Sequence, residues 1–445
     1  MTGNAVRKWG PGMLVTAAFI GPGTVTVASI SGANEGYSLL WVVILGILAV
    51  IAFQDMSARL GIVTGRDLAQ AMRGDGRRNW LAWPAILLVL LAVIVGNAAY
   101  QAGNILGATI GLAELTGQDK RIWTLLIAAV ASLILWNGKL RVIQVVLGSL
   151  VALMSGLFVI CMLVVQPDWS AVARGLTPQL EPGSLLLVLG LLGTTVVPYN
   201  LFLHSRTAVD QWHQTDLEEA HIRQRLRQAR LDTIVAVSLG GIVTAAILIT
   251  AAAVFYQRGI ELTRVAEIAN QLQPLLGGFS QLVFCLGLTA AGLTSAVTAP
   301  LAAGFVAAGC FAWGNNLRDW RTRVVMFTIM AIGMAVMFLF EGESPAEVIL
   351  VAQVANGLIL PVVALFLVLS MNSPRIPRAF RNRWLANTIG GMVIVVVTLI
   401  AATRMPGLKP LIRQFQNPPA EINRGNPPVR IESGNPGTPD HDRDQ

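Results

Sequence analysis

Apolar runs of about twenty residues recur along this chain, separated by short polar segments rich in arginine. A helix of that length crosses roughly 30 Å of hydrocarbon. The pattern predicts eleven spans, at about 12–33, 37–58, 83–112, 122–138, 142–165, 184–204, 231–256, 279–312, 324–340, 347–371 and 384–403. The uncharged stretch 268–317 could hold two short spans. It is read as one long helix with a polar lead-in, because two spans would upset the loop charges. Two runs carry a proline beside glycine and hydroxyl residues. The first holds Gly21-Pro22-Gly23-Thr24, and the sixth holds Gly193-Thr194-Thr195-Val196-Val197-Pro198-Tyr199-Asn200. Proline removes a backbone donor and clashes with the preceding turn, and glycine weakens the helix further, so each run predicts a broken helix. Backbone groups freed in lipid cost several kcal/mol each, so a break survives only where it is buried or lines a cavity. The breaks fall in the first span of each set of five (spans 1–5 and 6–10). An odd number of spans per set reverses the second set in the membrane. This is the pattern of an inverted repeat with its binding site between the halves.

Composition supports the same class. The chain has 445 residues, 54% hydrophobic and 13% charged, against about 25% charged in soluble domains. An all-α polytopic membrane protein is expected. The net charge of +8 is concentrated in alternate loops: Arg59, Arg66, Arg73, Arg77 and Arg78; Lys139 and Arg141; Arg206, Arg223, Arg225, Arg227 and Arg230; Arg318, Arg321 and Arg323; Arg375, Arg378, Arg381 and Arg383. By the positive-inside rule these loops and the N-terminus are cytoplasmic, and after eleven spans the C-terminus lies outside. The charge is therefore a topology signal and does not imply nucleic-acid binding. Residues 1–404 are expected to form the transmembrane domain, with repeats at about 12–165 and 184–371 and an eleventh helix. The proline-rich, charged tail 405–445 is expected to be disordered. Cys161, Cys285 and Cys310 lie in apolar segments and read as packed thiols. No nucleophile with a paired base and no phosphate-binding loop stands out, so an enzyme is not expected, nor is a cofactor. The first run is too long for a cleavable signal peptide. The expected partners are the lipid bilayer, that of a bacterial inner membrane, and a small solute or metal ion.

The breaks also carry a resemblance. Gly21-Pro22-Gly23-Thr24, with Ser31-Gly32-Ala33 and Leu39-Leu40-Trp41 following, resembles the first helices of the NRAMP divalent-metal transporters, whose motif reads Asp-Pro-Gly-Asn. Val197-Pro198-Tyr199-Asn200 followed by Leu203-His204-Ser205 is similar to their sixth helix, with its Met-Pro-His motif. Asp232-Thr233, the segment Gly292 to Thr298, and Gln353, Asn356 and Pro361 fit the family as well. The resemblance covers spans 1 to 11 and implies a LeuT-type inverted repeat (5+5) with broken helices 1 and 6. It also exposes departures. The family's aspartate position is Gly21, its asparagine position Thr24, its methionine position Val197, and its histidine position Tyr199. The acidic positions of its proton route align with Gln101, Asn104 and Gln144, and its span 7 asparagine with Thr244. His204 and Gln353 are retained.

These departures change the chemistry. Carboxylate, amide and thioether together select a soft transition metal, and this chain keeps none of the three. The expected substrate-binding residues are Gly21, Gly23 and Thr24 from the first break, Thr194, Val197 and Tyr199 from the second, and Gln353 from span 10. They offer carbonyls, hydroxyls and an amide. No Asp or Glu lies in the central third of any span; Asp55 and Glu35 sit towards helix ends. Gln101, Asn104 and Gln144 do not titrate near neutral pH, and His204 alone makes a poor proton relay, so proton coupling is not expected. His213 and His221 are read as part of a charged, solvated loop. Three readings remain open. The first is a metal-ion transporter with an altered site. The second is a transporter of the same fold for a neutral or anionic solute such as an amino acid, held at the positive end of a broken helix. The third is a receptor or structural membrane protein that has lost transport. In the first two, the broken helices rock against a scaffold of spans 3, 4, 8 and 9.

Overall fold

The structure is a computed structural model that describes residues 20–73, 83–137, 141–180, 183–213, 218–260, 264–314, 318–339 and 344–404, with residues 262 and 316. Among them, ten helical segments are long and apolar enough to cross a membrane. The expected first span falls partly outside the described residues. Its second half is α1 (Pro22–Glu35), while 12–19 lie outside, as does the tail 405–445. The chain continues through α2 (Leu40–Thr64), the short α3 (Leu68–Arg73), α4 (Trp83–Thr116), α5 (Lys120–Asn137) and α6 (Arg141–Val164). After α7 (Trp169–Arg174), the sixth span is split into α8 (Leu185–Thr195) and α9 (Pro198–Trp212). Then come α10 (Glu219–Val254), α11 (Ser280–Phe311), α12 (Trp320–Leu339), α13 (Pro345–Met371) and α14 (Trp384–Arg404).

Proline sits at the first position of α1 and α9. Its missing N–H costs nothing there, because first-turn amides have no helical acceptor. Each predicted break is therefore a clean helix start, and at the sixth span both halves are described. At the sixth span Val196 and Val197 leave helical geometry, and Val197 is extended (φ −74°, ψ 116°).

Three boundaries differ from the sequence-based expectation by more than four residues; one is the end of α9, eight residues past 204, so that Arg206 is helical and not in a loop. α2 runs six residues past 58, and α10 begins at Glu219, inside the segment expected to be a solvated loop. His221 is thus an exposed helical residue, and the His213 ring nitrogen Nδ1 lies 3.0 Å from the Ile62 carbonyl. An ion pair links the two helices where the apolar stretches end. Asp55 on α2 meets Arg59 one turn on at 3.3 Å and Arg230 of α10 at 2.7 Å. Within α10, Arg223 donates to Glu219 at 3.0 Å, the i,i+4 arrangement that supports an exposed helix.

Small residues bring the helices together, as is usual in membrane bundles. Gly292 of α11 lies against Ala108 and the Asn104 carbonyl of α4, and Gly32 of α1 against the Leu248 carbonyl of α10. Long apolar side chains such as Leu91, Leu133 and Leu399 point outward and are exposed, which is the face a bilayer would cover. The 3-10 segment Val265–Leu272 forms the lead-in to α11. Its fully buried Gln271 donates to Ser29 of α1 at 2.7 Å and accepts from Thr250 of α10 at 2.9 Å. Cys161 of α6 donates to its carbonyl. This lead-in ties three spans together on the C-terminal side of the α1 break. All three cysteines are buried free thiols.

Candidate functional site

The two breaks meet in the interior of the bundle. Thr24, in the first turn of α1, and Thr194, in the last turn of α8, share a hydrogen bond of 2.9 Å between their hydroxyls. Both side chains are fully buried. Gly23 stands where α13 passes: a Cβ there would overlap the Gln353 amide. Gln353 is itself held in place by Gly193, whose missing side chain admits the backbone carbonyl of Gln353. Its Oε1 has no hydrogen-bond partner. Gly21 caps α1 in an extended conformation (φ −98°, ψ 176°) and accepts from the Val25 amide at 3.2 Å.

Tyr199, one residue into α9, is buried and its ring meets that of Tyr100 of α4 edge to face, centroids 5.5 Å apart. Val197 is the buried N-cap residue of α9 and brings only methyl groups. The structure thus joins Thr24 to Thr194, Gly23 to Gln353, and Tyr199 to α4. Two participants were not singled out from the sequence. Tyr100 OH and Ser295 Oγ lie 3.3 and 3.2 Å from where a Cβ on Gly21 would be. Both residues are buried, and neither hydroxyl has a partner of acceptable hydrogen-bond geometry. Ser295 lies in the segment Gly292 to Thr298 that carries part of the resemblance. Tyr100 adjoins Gln101 and had no signal beyond being a phenol in an apolar run.

The other expected positions lie apart from this cluster. Gln101 turns to α11 and α12, donating to the Ala296 carbonyl at 2.9 Å and to Met330 Sδ at 3.2 Å. Asn104 is buried on α4 with its Nδ2 unpartnered. His204 is buried on α9; its Nε2 is 3.4 Å from Thr233 Oγ1 and its Nδ1 has no partner. Gln144 belongs to α6, its side chain outside the described residues. Among the described residues no group of three or more His, Cys, Asp or Glu is placed to hold a metal ion. What the cluster presents is neutral: hydroxyls, a carboxamide, and the amides at the start of α1. Such a set can coordinate a hydrated cation through oxygen or donate to an acceptor, but it does not take up and release protons.

Known proteins are similar to this chain in sequence and in fold. The divalent metal cation transporter MntH of Brucella suis biovar 1 is 33% identical over 377 residues, covering 82% of this chain and 80% of that protein. Pseudomonas aeruginosa MntH 1 is 33% identical over 366 residues, covering 79% and 80%. Among solved structures, the manganese transporter of Eremococcus coleocola superposes with a TM-score of 0.73 at 24% identity, over 95% of this chain and 91% of that one. MhsT in complex with L-phenylalanine superposes with a TM-score of 0.58 at 17% identity, over 89% and 99%. These likenesses establish the LeuT-type fold with its two broken helices. Residues 12–405 match the family described as natural resistance-associated macrophage protein-like, and with relatives of this identity along most of its length, the chain is an integral membrane protein of the Nramp family.

Proposed function

We propose that this protein is a secondary transporter that carries a divalent metal ion by alternating access, at a site of neutral oxygens between its two helix breaks, and without proton coupling. The observation that carries the reading is the meeting of both breaks at the buried Thr24–Thr194 hydrogen bond, in a family whose similar relatives are named divalent metal cation transporters. In this reading Gly21 and Gly23 contribute backbone groups. Thr24, Thr194 and Tyr199 contribute hydroxyls, Gln353 a rotatable amide, and Val197 a wall. The ion keeps part of its water shell, as hard divalent ions do when protein ligands are few. Gln101, fixed by its contacts to α11 and α12, and the buried amide Asn104 stand in place of a proton route, and His204 serves structure. The arginine-rich loops are cytoplasmic, as is the N-terminus, and the C-terminus is outside. α1 and α9 move against α4, α5, α11 and α12.

Reconstitution in liposomes with trapped ion reporters tests this. Saturable uptake of manganese or magnesium is expected, unchanged when a pH gradient is imposed. The triple variant Gly21→Asp, Thr24→Asn, Val197→Met is expected to raise manganese uptake about tenfold or more, roughly what one added charged ligand contributes. No saturable uptake of either ion would sink the reading. A second reading, transport of a neutral or anionic solute such as an amino acid, draws on one feature. The amides at the start of α1 face no acidic side chain of their own helix before Glu35.

A further inference from the structure

A cleft of about 570 Å³ opens between the C-terminal ends of α2 and α13, with α3 and the segment 373–377 completing its wall. That is the size of a small-molecule site, about 300–1,000 Å³. None of its lining residues belongs to the cluster around Thr24 and Thr194. Part of the wall is apolar: Val63, Phe366 and Leu369 line it, and Leu369 is 56% exposed. Leu365, one turn earlier on α13, is exposed as well, so the apolar wall continues onto a face that a bilayer would cover. The rest is basic. Arg66 and Arg375 supply two positive charges, and no Asp or Glu lines the cleft. The C-terminal ends of helices oppose an anion, but here their carbonyls are engaged. Thr64 Oγ1 donates to the Leu60 carbonyl at 2.6 Å, the Gly65 amide to Gly61 at 2.9 Å, and Asn372 Nδ2 to Val368 at 2.8 Å. Ser373 Oγ accepts from the Arg375 amide at 3.4 Å, which leaves its hydroxyl proton to donate into the cleft.

We infer that this cleft binds one anionic phospholipid, its phosphate held by Arg66 and Arg375 and an acyl chain laid along Leu369 and Leu365. Guanidinium groups match phosphate oxygens with paired N–H donors. A basic pocket between membrane helices, level with the headgroups, is where a lipid phosphate can reach them. A free phosphate would satisfy the arginines and leave the apolar wall in water, and an apolar solute would do the reverse. A phospholipid meets both halves of the wall. Its binding clamps the ends of α2 and α13 and holds α3, whose connector pairs Asp67 with Arg206 of α9 at 3.6 Å. The inference does not depend on which solute the protein carries.

The full-length protein, stripped of lipid in detergent, is titrated with phosphatidylglycerol, with phosphatidylethanolamine of the same acyl chains, or with inorganic phosphate. Native mass spectrometry counts bound lipid, and thermal unfolding reads stabilisation. One phosphatidylglycerol is expected to bind about tenfold more tightly than phosphatidylethanolamine, the scale of one charge-assisted hydrogen bond, and to raise the melting temperature. Inorganic phosphate at the same concentration should not raise it. Arg66→Gln together with Arg375→Gln should remove the preference between the lipids. Arg227→Gln together with Arg318→Gln, two exposed arginines outside the cleft, should keep it. A photoactivatable phosphatidylglycerol added to the unaltered protein should label residues 60–72 and 366–377, a readout that needs no variant to fold. Equal binding of the two lipids, or label confined to other segments, overturns the proposal. Equal loss in both paired variants would make the preference one of diffuse surface charge, and protection by phosphate as strong as by lipid would make the cleft a free-anion site; either result overturns it too.

Discussion

Replacing Gly193 by alanine is expected to lower stability by about 3 kcal/mol, the upper end of the usual cost of overpacking, and to abolish transport. The added Cβ would overlap the backbone carbonyl of Gln353 and lie 2.7 Å from the Gly357 amide nitrogen. Gly357 in turn lies 2.7 Å, measured from its own would-be Cβ, from the Leu189 carbonyl. Neither obstacle is a side chain that can turn away, so α8 and α13 would have to separate. That separation also moves Gln353, whose amide rests against Gly23 of α1, so the packing fault reaches the break directly. The control is Gly148→Ala on α6, where a Cβ meets nothing within 4 Å. There the change should be neutral or stabilising by about 0.5–1 kcal/mol through helix propensity. Thermal unfolding in detergent and uptake in liposomes read both. A Gly193→Ala protein with the parent's melting temperature would contradict the packing described.

Arg206→Met is expected to destabilise the protein by about 3–5 kcal/mol, the cost of stranding one partner of a buried pair, and by an amount that grows with pH. Arg206 of α9 lies 3.6 Å from Asp67, with both side chains under a tenth exposed, and 2.9 Å from Asp210. Asp67 sits in the connector before α3, where it accepts from the Gln70 amide at 2.9 Å. The next residue, Leu68, donates its amide to Ser205 Oγ of α9 at 2.9 Å. Burial pushes the Asp67 carboxyl above its ordinary value, opposed by the hydrogen bond from Gln70 and by the charge of Arg206. Without Arg206 the upward push prevails further. A carboxyl raised in the folded state favours folding below the usual carboxylate range, and that contribution is lost as pH rises through the raised value. The gap in melting temperature between variant and parent should therefore widen from about pH 4 towards pH 8. Adding Asp67→Asn should close most of it at the higher pH. A gap that does not change with pH would rule out a stranded Asp67 charge as its cause.

Much of this protein is written in local sequence. The spans at 83–112, 324–340 and 347–371 emerge as α4, α12 and α13 with boundaries shifted by four residues or fewer. Length and apolarity set a membrane helix almost without reference to its neighbours. The breaks at Pro22 and Pro198 are equally local, because a missing N–H acts within one turn. The motifs around them were enough to indicate the family, and the neutral character of Gly21, Thr24, Val197 and Tyr199 could be read at once. What required the folded chain is every feature that depends on two distant segments meeting. The tie between α2 and α10 rests on Asp55 finding Arg230, 175 positions away. The lead-in to α11 is held by Gln271 reaching Ser29, and nothing in its own sequence marks that partner. Tyr100 and Ser295 are ordinary hydroxyl residues in apolar runs until α4 and α11 bring them over Gly21. Helix formation and breakage are set by forces that act within a turn, so sequence alone determined the spans, their interruptions and the lack of charge at the breaks. Hydrogen bonds and ion pairs act over about 3 Å between groups far apart in the chain, so only the tertiary structure decided which neutral groups face one another and where a donor is left without an acceptor.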